Sequence, residues 1–233
     1  MVYLIRYSLI FILGGTLGYG LELVFRRIVH KKWVNPGFLT GPCLPLYGIG
    51  VLCLYLICSF DYGFIESDFW RAVFVIVLIT AAMTLVEYIT GLIFIIGMNV
   101  KLWDYSDRKG NIQGIICPLF TFFWGVIGAI YYLFINKFFV TAVEWIDANP
   151  WYSYVIGIYF GIFIVDIIYS FNIVVKIRTW AKEKNIVVKY EAFKLSIVRK
   201  ANEFKQKRSF FFNLHGKKDF SNELETYADE NRE

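Results

Sequence analysis

Acidic side chains stand inside segments of the chain that are otherwise strongly apolar. Glu22 lies near the end of the first apolar run, Glu87 lies well inside the third, and Asp166 lies in the last. An unpaired carboxylate at the centre of a bilayer costs about 2.5–3.5 kcal/mol on insertion scales. Each of these groups is therefore predicted to be paired, protonated or in contact with water. Membrane carboxylates of this kind bind protons, cations or the cationic part of a substrate.

The segment 33–48 is the second feature with chemical potential. It carries three prolines and three glycines in sixteen positions, yet it lies between two long apolar runs. Proline removes a backbone donor and clashes with the preceding helical turn, so this segment cannot form one regular helix. Lipid cannot satisfy an irregular backbone. The segment is therefore predicted to be buried in protein or to line a watered cavity.

Two stretches of the sequence resemble each other. Each has a carboxylate, then a tryptophan, then a glycine, and a proline four residues after the glycine. These residues are Glu22, Trp33, Gly41 and Pro45 in the first stretch and Glu87, Trp103, Gly114 and Pro118 in the second. We interpret them as a weak duplication of two-span units that run in the same direction, which makes them parallel repeats. A site is expected between the two copies.

The candidate binding site is a set of polar residues from both copies. Three carboxylates are predicted to hold an ion, a proton or a cationic substrate: Glu22, Glu87 and Asp104. Five further side chains are predicted to supply orienting hydrogen bonds: Arg26, Asn35, Tyr47, Tyr105 and Asn111. No metal site is predicted, because the chain has only two histidines and no Cys-x-x-Cys pair. No catalytic residue is predicted, because the sequence shows no recognisable nucleophile–base pair, and no cofactor is predicted.

Structural roles compete with these functional ones. Glu22 and Arg26 are four residues apart and share a helix face, so they could form a snorkelling pair at the interface. Glu87 could be a buried partner of Arg26 or of a tyrosine hydroxyl. Asp166 has a structural and a functional reading of equal weight, and a cation from the loops is its expected partner.

The elements that position these residues follow from composition. The chain is 58% hydrophobic and 20% aromatic, which together with several apolar runs indicates a helical membrane protein. The predicted fold is all-α, with two parallel two-helix repeats, one further helix and a cytoplasmic amphipathic helical tail. Five spans are predicted, at residues 3–25, 43–60, 70–98, 114–136 and 151–175.

The distribution of basic residues predicts orientation. The first loop, the third loop and the segment after the last span are basic, whereas the second loop is mostly acidic. The positive-inside rule therefore places the amino terminus outside and the carboxyl terminus in the cytoplasm of a cell-membrane protein. The net charge of +5 reflects this orientation, so nucleic acid is not a predicted partner.

The predicted membrane domain comprises residues 1–175, and two further regions are predicted after it. Region 176–218 is basic and amphipathic, and lipid contact is expected for its apolar face, formed by Tyr190, Phe193, Ile197, Ala201 and Phe204. Region 219–233 is acidic and predicted to be disordered.

Two loop motifs carry a family resemblance over roughly residues 10–130. The first runs from Trp33-Val34-Asn35 to Tyr47-Gly48, and the second runs from Trp103-Asp104-Tyr105-Ser106 to Trp124-Gly125. In these motifs the chain resembles the type IV ABC-transporter permease family of small bacterial membrane proteins. The resemblance implies a transporter permease. The chain contains no P-loop sequence, so an energised pump would need a separate nucleotide-binding subunit.

Three functions fit the sequence. The first is transport or conduction through a polar, cytoplasm-facing cavity lined by the carboxylates. The second is a membrane-embedded enzyme that acts on a lipid-like substrate through paired carboxylates. The third is a membrane scaffold or sensor. The bilayer is the expected environment in each case, and the short membrane domain leaves room for a homo-oligomer.

Overall fold

The computed structural model describes residues 2–31, 33–184, 187–190 and 193–195, and these residues are mostly helical. The helices are α1 (Val2–His30), α2 (Pro45–Cys58), α3 (Asp68–Met98), α4 (Pro118–Ile130), α5 (Asn136–Ala148) and α6 (Ser153–Lys184). A π-helical turn, Tyr131–Ile135, joins α4 to α5, and a 3-10 turn, Pro150–Tyr152, precedes α6. Two short strands, β1 (Val100–Lys101) and β2 (Val188–Lys189), pair in parallel.

Four of the helical stretches are long and apolar enough to cross a membrane: Val2–Val29, Asp68–Met98, Pro118–Ala148 and Pro150–Trp180. The predicted second span corresponds to α2, an apolar helix of 14 residues. At about 1.5 Å per residue, α2 is roughly 21 Å long, which is shorter than the hydrocarbon core of about 30 Å. The count of five spans and the repeat layout therefore stay predictions.

The predicted limits of the last two spans differ from the structure. The apolar stretch that begins at Pro118 continues through the π turn to Ala148, past the limit of 136 predicted for the fourth span, because Phe139, Val143 and Ile146 bury one face of α5. The last helix continues to Lys184, past the predicted limit at 175. Residues 196–233, including Ile197, Ala201 and Phe204 of the predicted tail, lie outside the described residues.

Proline and asparagine set the helix ends beside the two irregular segments. Both α2 and α4 begin with proline, whose fixed φ suits the first helical position and whose missing N–H would be unpaired there in any case. Asn99 ends α3 in the left-handed conformation, with φ of 54°. We call the segments that result loop A (residues 33–44) and loop B (residues 99–117).

Two clusters of buried side chains stabilise the described residues. The first joins α1, α2, α3 and α5 through Ile10, Leu54, Val75, Ile79 and Phe139, among others. The second lies beside the loops and joins β1, α6 and the chain after β2 through Val100, Ile177, Val188, Tyr190 and Phe193. Tyr190 and Phe193, predicted to face lipid, pack against protein in this second cluster.

Candidate functional site

The first carboxylate, Glu22, is held by two partners at the end of α1 and the start of α2. The Tyr47 hydroxyl donates a hydrogen bond to Glu22 Oε2 at 2.9 Å, and Arg26 Nε donates to Glu22 Oε1 at 3.1 Å. The side chains of Arg26 and Glu22 are only 12% and 21% exposed. Three of the predicted site residues therefore form one partly buried group.

The second carboxylate, Glu87 on α3, is 4% exposed. The Tyr105 hydroxyl donates to Glu87 Oε1 at 3.0 Å, and the Trp124 indole donates to Glu87 Oε2 at 2.9 Å. The Tyr105 ring stacks on Phe120, with 4.1 Å between centroids. Both of these hydrogen bonds come from neutral donors, so they orient the carboxylate without neutralising a charge on it.

The two carboxylate groups lie within electrostatic range of each other. Burial raises the pKa of the Tyr105 hydroxyl, and its hydrogen-bond acceptor Glu87 acts in the same direction. Tyr47 also lies within electrostatic range of Tyr105, although the two belong to different predicted units. Phe120 takes the place of Tyr47 in the second unit and lacks a hydroxyl, and Tyr105, stacked on it, supplies one.

Gly18 makes room for the Tyr47 side chain. A methyl group at Gly18 would lie 2.5 Å from three atoms of Tyr47. We expect Gly18→Ala to displace Tyr47 from Glu22 and to lower the free energy of unfolding by about 1–3 kcal/mol. The matched control is Gly20→Ala, because nothing lies within 4 Å of a methyl group at Gly20. Unfolding in detergent micelles measures the difference. Equal stability of Gly18→Ala and Gly20→Ala would contradict the prediction.

Loop A is organised by its own Asn35. Asn35 Nδ2 donates to the carbonyls of Leu39 and Thr40 at 2.9 and 3.2 Å, and Asn35 Oδ1 accepts from the Gly37 N–H at 3.0 Å. These bonds supply the backbone pairing that an irregular segment lacks. Asn35, a predicted binding residue, thus makes its hydrogen bonds to the backbone of loop A itself.

Asp166 of α6 fixes the far end of loop A. Its Oδ1 accepts from the Thr40 N–H at 3.0 Å, and its Oδ2 accepts from the Gly41 N–H at 2.9 Å. Ser170, one turn later, donates to Asp166 Oδ1 at 3.2 Å. The partners of Asp166 are therefore backbone amides and not the cation that the sequence predicted. Sequence reasoning left Asp166 out of the candidate site, although a lone membrane carboxylate and a loop with unpaired amides were both visible in the sequence.

Loop B uses the other two predicted polar residues in a similar way. Asp104 accepts from Lys101 Nζ at 3.2 Å and from Lys189 Nζ of β2 at 2.9 Å, besides Ser106. Asn111 Nδ2 donates to the Arg108 carbonyl at 2.8 Å, and Asn111 Oδ1 accepts from the Gly114 N–H. Asp104 and Asn111 are therefore not gathered around Glu22 and Glu87 but hold loop B together.

Asp104 gives loop B a predicted pH dependence. Burial acts to raise the pKa of Asp104, but hydrogen bonds from Ser106, Lys189 and Lys101 outweigh it and hold the pKa well below its usual range. A depressed carboxyl pKa stabilises the fold above the unfolded pKa of about 3.9, and that stabilisation is lost as pH falls toward the folded pKa.

The excess stability of the wild type over Asp104→Asn should therefore be constant above about pH 5 and should shrink below about pH 4. Chemical unfolding between pH 3 and pH 7 measures it. The matched control is Asp107→Asn, because the Asp107 side chain is 70% exposed. An equal pH dependence in both variants would contradict the assignment.

The chain after α6 also contacts both loops. Lys189 binds Asp104 of loop B, while Lys194 Nζ donates to the carbonyls of Asn35 and Gly37 in loop A. The Lys194 ammonium also lies over the Tyr190 ring, 4.6 Å from its centroid. No motif in the sequence marks these long-range contacts.

A cleft of about 700 Å³ lies between α3, α4 and loop B. Its lining is nearly all apolar and includes none of the eight predicted site residues. The predicted polar cavity is a different feature and stays a prediction.

The long apolar helices, and the carboxylates held between them, define an integral membrane protein of the helical class. Residues 9–171 match the family described as "Putative ABC-transporter type IV". The chain belongs to this family, which confirms the resemblance of its loop motifs. No curated protein and no solved structure matches the chain significantly.

Proposed function

We propose that the chain is the membrane-spanning permease of a transporter, in which Glu87 and Glu22 bind a proton or a small cation. The proposal rests on the observation that Glu87 is 4% exposed and receives its two hydrogen bonds from a phenol and an indole. Neutral donors leave a buried negative charge to be offset by a proton or a cation, since charge inside a membrane is costly.

The other carboxylate, Glu22, supplies a second binding position for the proton or cation. Glu22 has one neutral and one cationic donor, Tyr47 and Arg26, and it is more exposed than Glu87. A proton or cation exchanged between the two binding positions would pass the hydroxyls of Tyr47 and Tyr105. In this proposal Trp124 joins the site, whereas Asn35, Asp104 and Asn111 act by holding the loops.

The orientation belongs to the proposal as well. The positive-inside rule favours loops A and B in the cytoplasm of a five-span protein built from two parallel units, with the amino terminus outside. The family description supports transport driven by a separate nucleotide-binding subunit, and the surface formed by the two loops is where such a subunit would dock. A homo-oligomer is compatible with this arrangement.

Proton flux into proteoliposomes tests the proposal. Vesicles that contain the full chain and a luminal pH dye are given a pH gradient, with valinomycin and potassium to balance charge. We expect Glu87→Gln to reduce flux to the level of protein-free vesicles. The matched control is Glu144→Gln, which removes an exposed carboxylate on α5. Wild-type flux from a folded Glu87→Gln variant would overturn the assignment.

A further inference from the structure

The apolar cleft between α3 and α4 is a groove with a wall formed by α3 and a floor formed by α4. One wall is α3 at Ile76 and Thr80, and the floor is α4 at Thr121, Gly125 and Ala129. The three floor residues are four apart, so they lie on one helix face, and each is small enough to leave a hollow. The groove therefore arises from side-chain size on one face of α4.

The length of the groove matches one leaflet of a bilayer. Its lining runs along α4 from Pro118, where the helix begins, to Ala129. Eleven helical steps of about 1.5 Å give roughly 16 Å, close to half of a hydrocarbon core of about 30 Å. An extended acyl chain entering from the loop end would follow the whole length of the groove and end near the bilayer midplane.

The mouth of the groove carries positive charge. Gly110 lines the mouth, and the exposed residues Arg108 and Lys109 come directly before it. Arg108 pairs with Asp107 at 3.4 Å, yet its side chain stays 53% exposed. Surface pairs of this kind contribute about 0–1 kcal/mol, so a phosphate can replace the carboxylate at little cost. Basic residues next to the end of a membrane-spanning helix attract anionic lipid headgroups.

We propose that this groove binds one anionic phospholipid, with an acyl chain along Thr121, Gly125 and Ala129 and its phosphate against Arg108 and Lys109. A helix of about 10 Å diameter would enter the open cleft of about 700 Å³ only with the side chains of one face, whereas an acyl chain is narrow enough to enter whole. The site is separate from the carboxylate pair, so it does not depend on the proposed transport.

Native mass spectrometry of the full chain tests the acyl-chain half of the site. Protein is released from nanodiscs that contain equal amounts of phosphatidylglycerol and phosphatidylcholine. We expect the wild type to retain one phosphatidylglycerol and Ala129→Phe to retain at least about tenfold less. The matched control is Ala81→Phe, which puts the same ring on an exposed position of α3 outside the groove. Equal retention by Ala129→Phe and the wild type overturns the proposal.

A second variant tests the headgroup without touching the helices. The double variant Arg108→Glu, Lys109→Glu should lose the preference for phosphatidylglycerol while still retaining lipid. An unchanged preference overturns the phosphate assignment. Cross-linking in the same nanodiscs tests whether a second copy of the chain occupies the groove instead. A cross-linked dimer that carries no lipid and that Ala129→Phe abolishes would overturn the proposal.

Discussion

Replacing Glu87 by leucine is expected to lower the free energy of unfolding by up to about 6 kcal/mol, because two part-buried donors lose their acceptor and a fully buried donor would cost about 1–3 kcal/mol. The donors are the Tyr105 hydroxyl and the Trp124 indole. Unfolding in micelles with a denaturing detergent measures the change. Leucine also removes the cost of burying a charged carboxylate. A net loss of stability would therefore show that the two hydrogen bonds contribute more than that cost.

Glu87→Gln separates this structural role from the proposed binding role. The glutamine carbonyl can accept from Trp124, whose indole only donates, and the glutamine NH₂ can donate to the Tyr105 oxygen, because a hydroxyl also accepts. We therefore expect near wild-type stability together with lost proton flux. If Glu87→Leu were as stable as Glu87→Gln, the hydrogen bonds assigned to Glu87 would be wrong.

Replacing Asp166 by alanine is the second change with a large expected effect. The part-buried Thr40 and Gly41 amides would lose their acceptor. At about 1–3 kcal/mol for a fully buried amide, this lowers the free energy of unfolding by up to roughly 6 kcal/mol. Asp166→Asn should rescue only part of this loss. Its carboxamide oxygen can accept from one amide, but its NH₂ group would face the other N–H.

The Asp166 prediction is checked by unfolding together with limited proteolysis of loop A. Asp147→Asn is the matched control, because Asp147 pairs with Arg6 on a more exposed surface, where an ion pair contributes about 0–1 kcal/mol. We expect loop A to be cleaved faster in both Asp166 variants and not in Asp147→Asn. Equal stability of Asp166→Ala and Asp147→Asn would show that Asp166 does not hold the loop.

Local chemistry made part of the fold predictable. Prolines 45 and 118 set the starts of α2 and α4, and the unbroken apolar run set α3, because these signals act within a few residues. The end of α5 was missed for a physical reason. The charged residues Lys137 and Glu144 follow the predicted end of the fourth span at 136, but a helix that keeps one buried face tolerates charges on the other.

The site was predictable only where a side chain carries its own signal. Glu22 and Glu87 are costly in a membrane. The bond from Arg26 to Glu22 and the bond from the Tyr105 hydroxyl to Glu87 fit the structural alternatives that the sequence left open. Asp166 and Lys194 act on backbone amides and carbonyls of loop A. Every residue carries such groups, so no pattern of side chains reports which of them a distant segment will bind.

The parallel pairing of β1 with β2 has a consequence for biosynthesis. Loop B contains β1, yet the partner residues Val188 and Lys189 are synthesised only after α4, α5 and α6. Loop A likewise waits for Asp166 and Lys194. The early helices must therefore insert while both loops still lack these partners. An exposed, half-paired intermediate of this kind is the state on which membrane quality control would act.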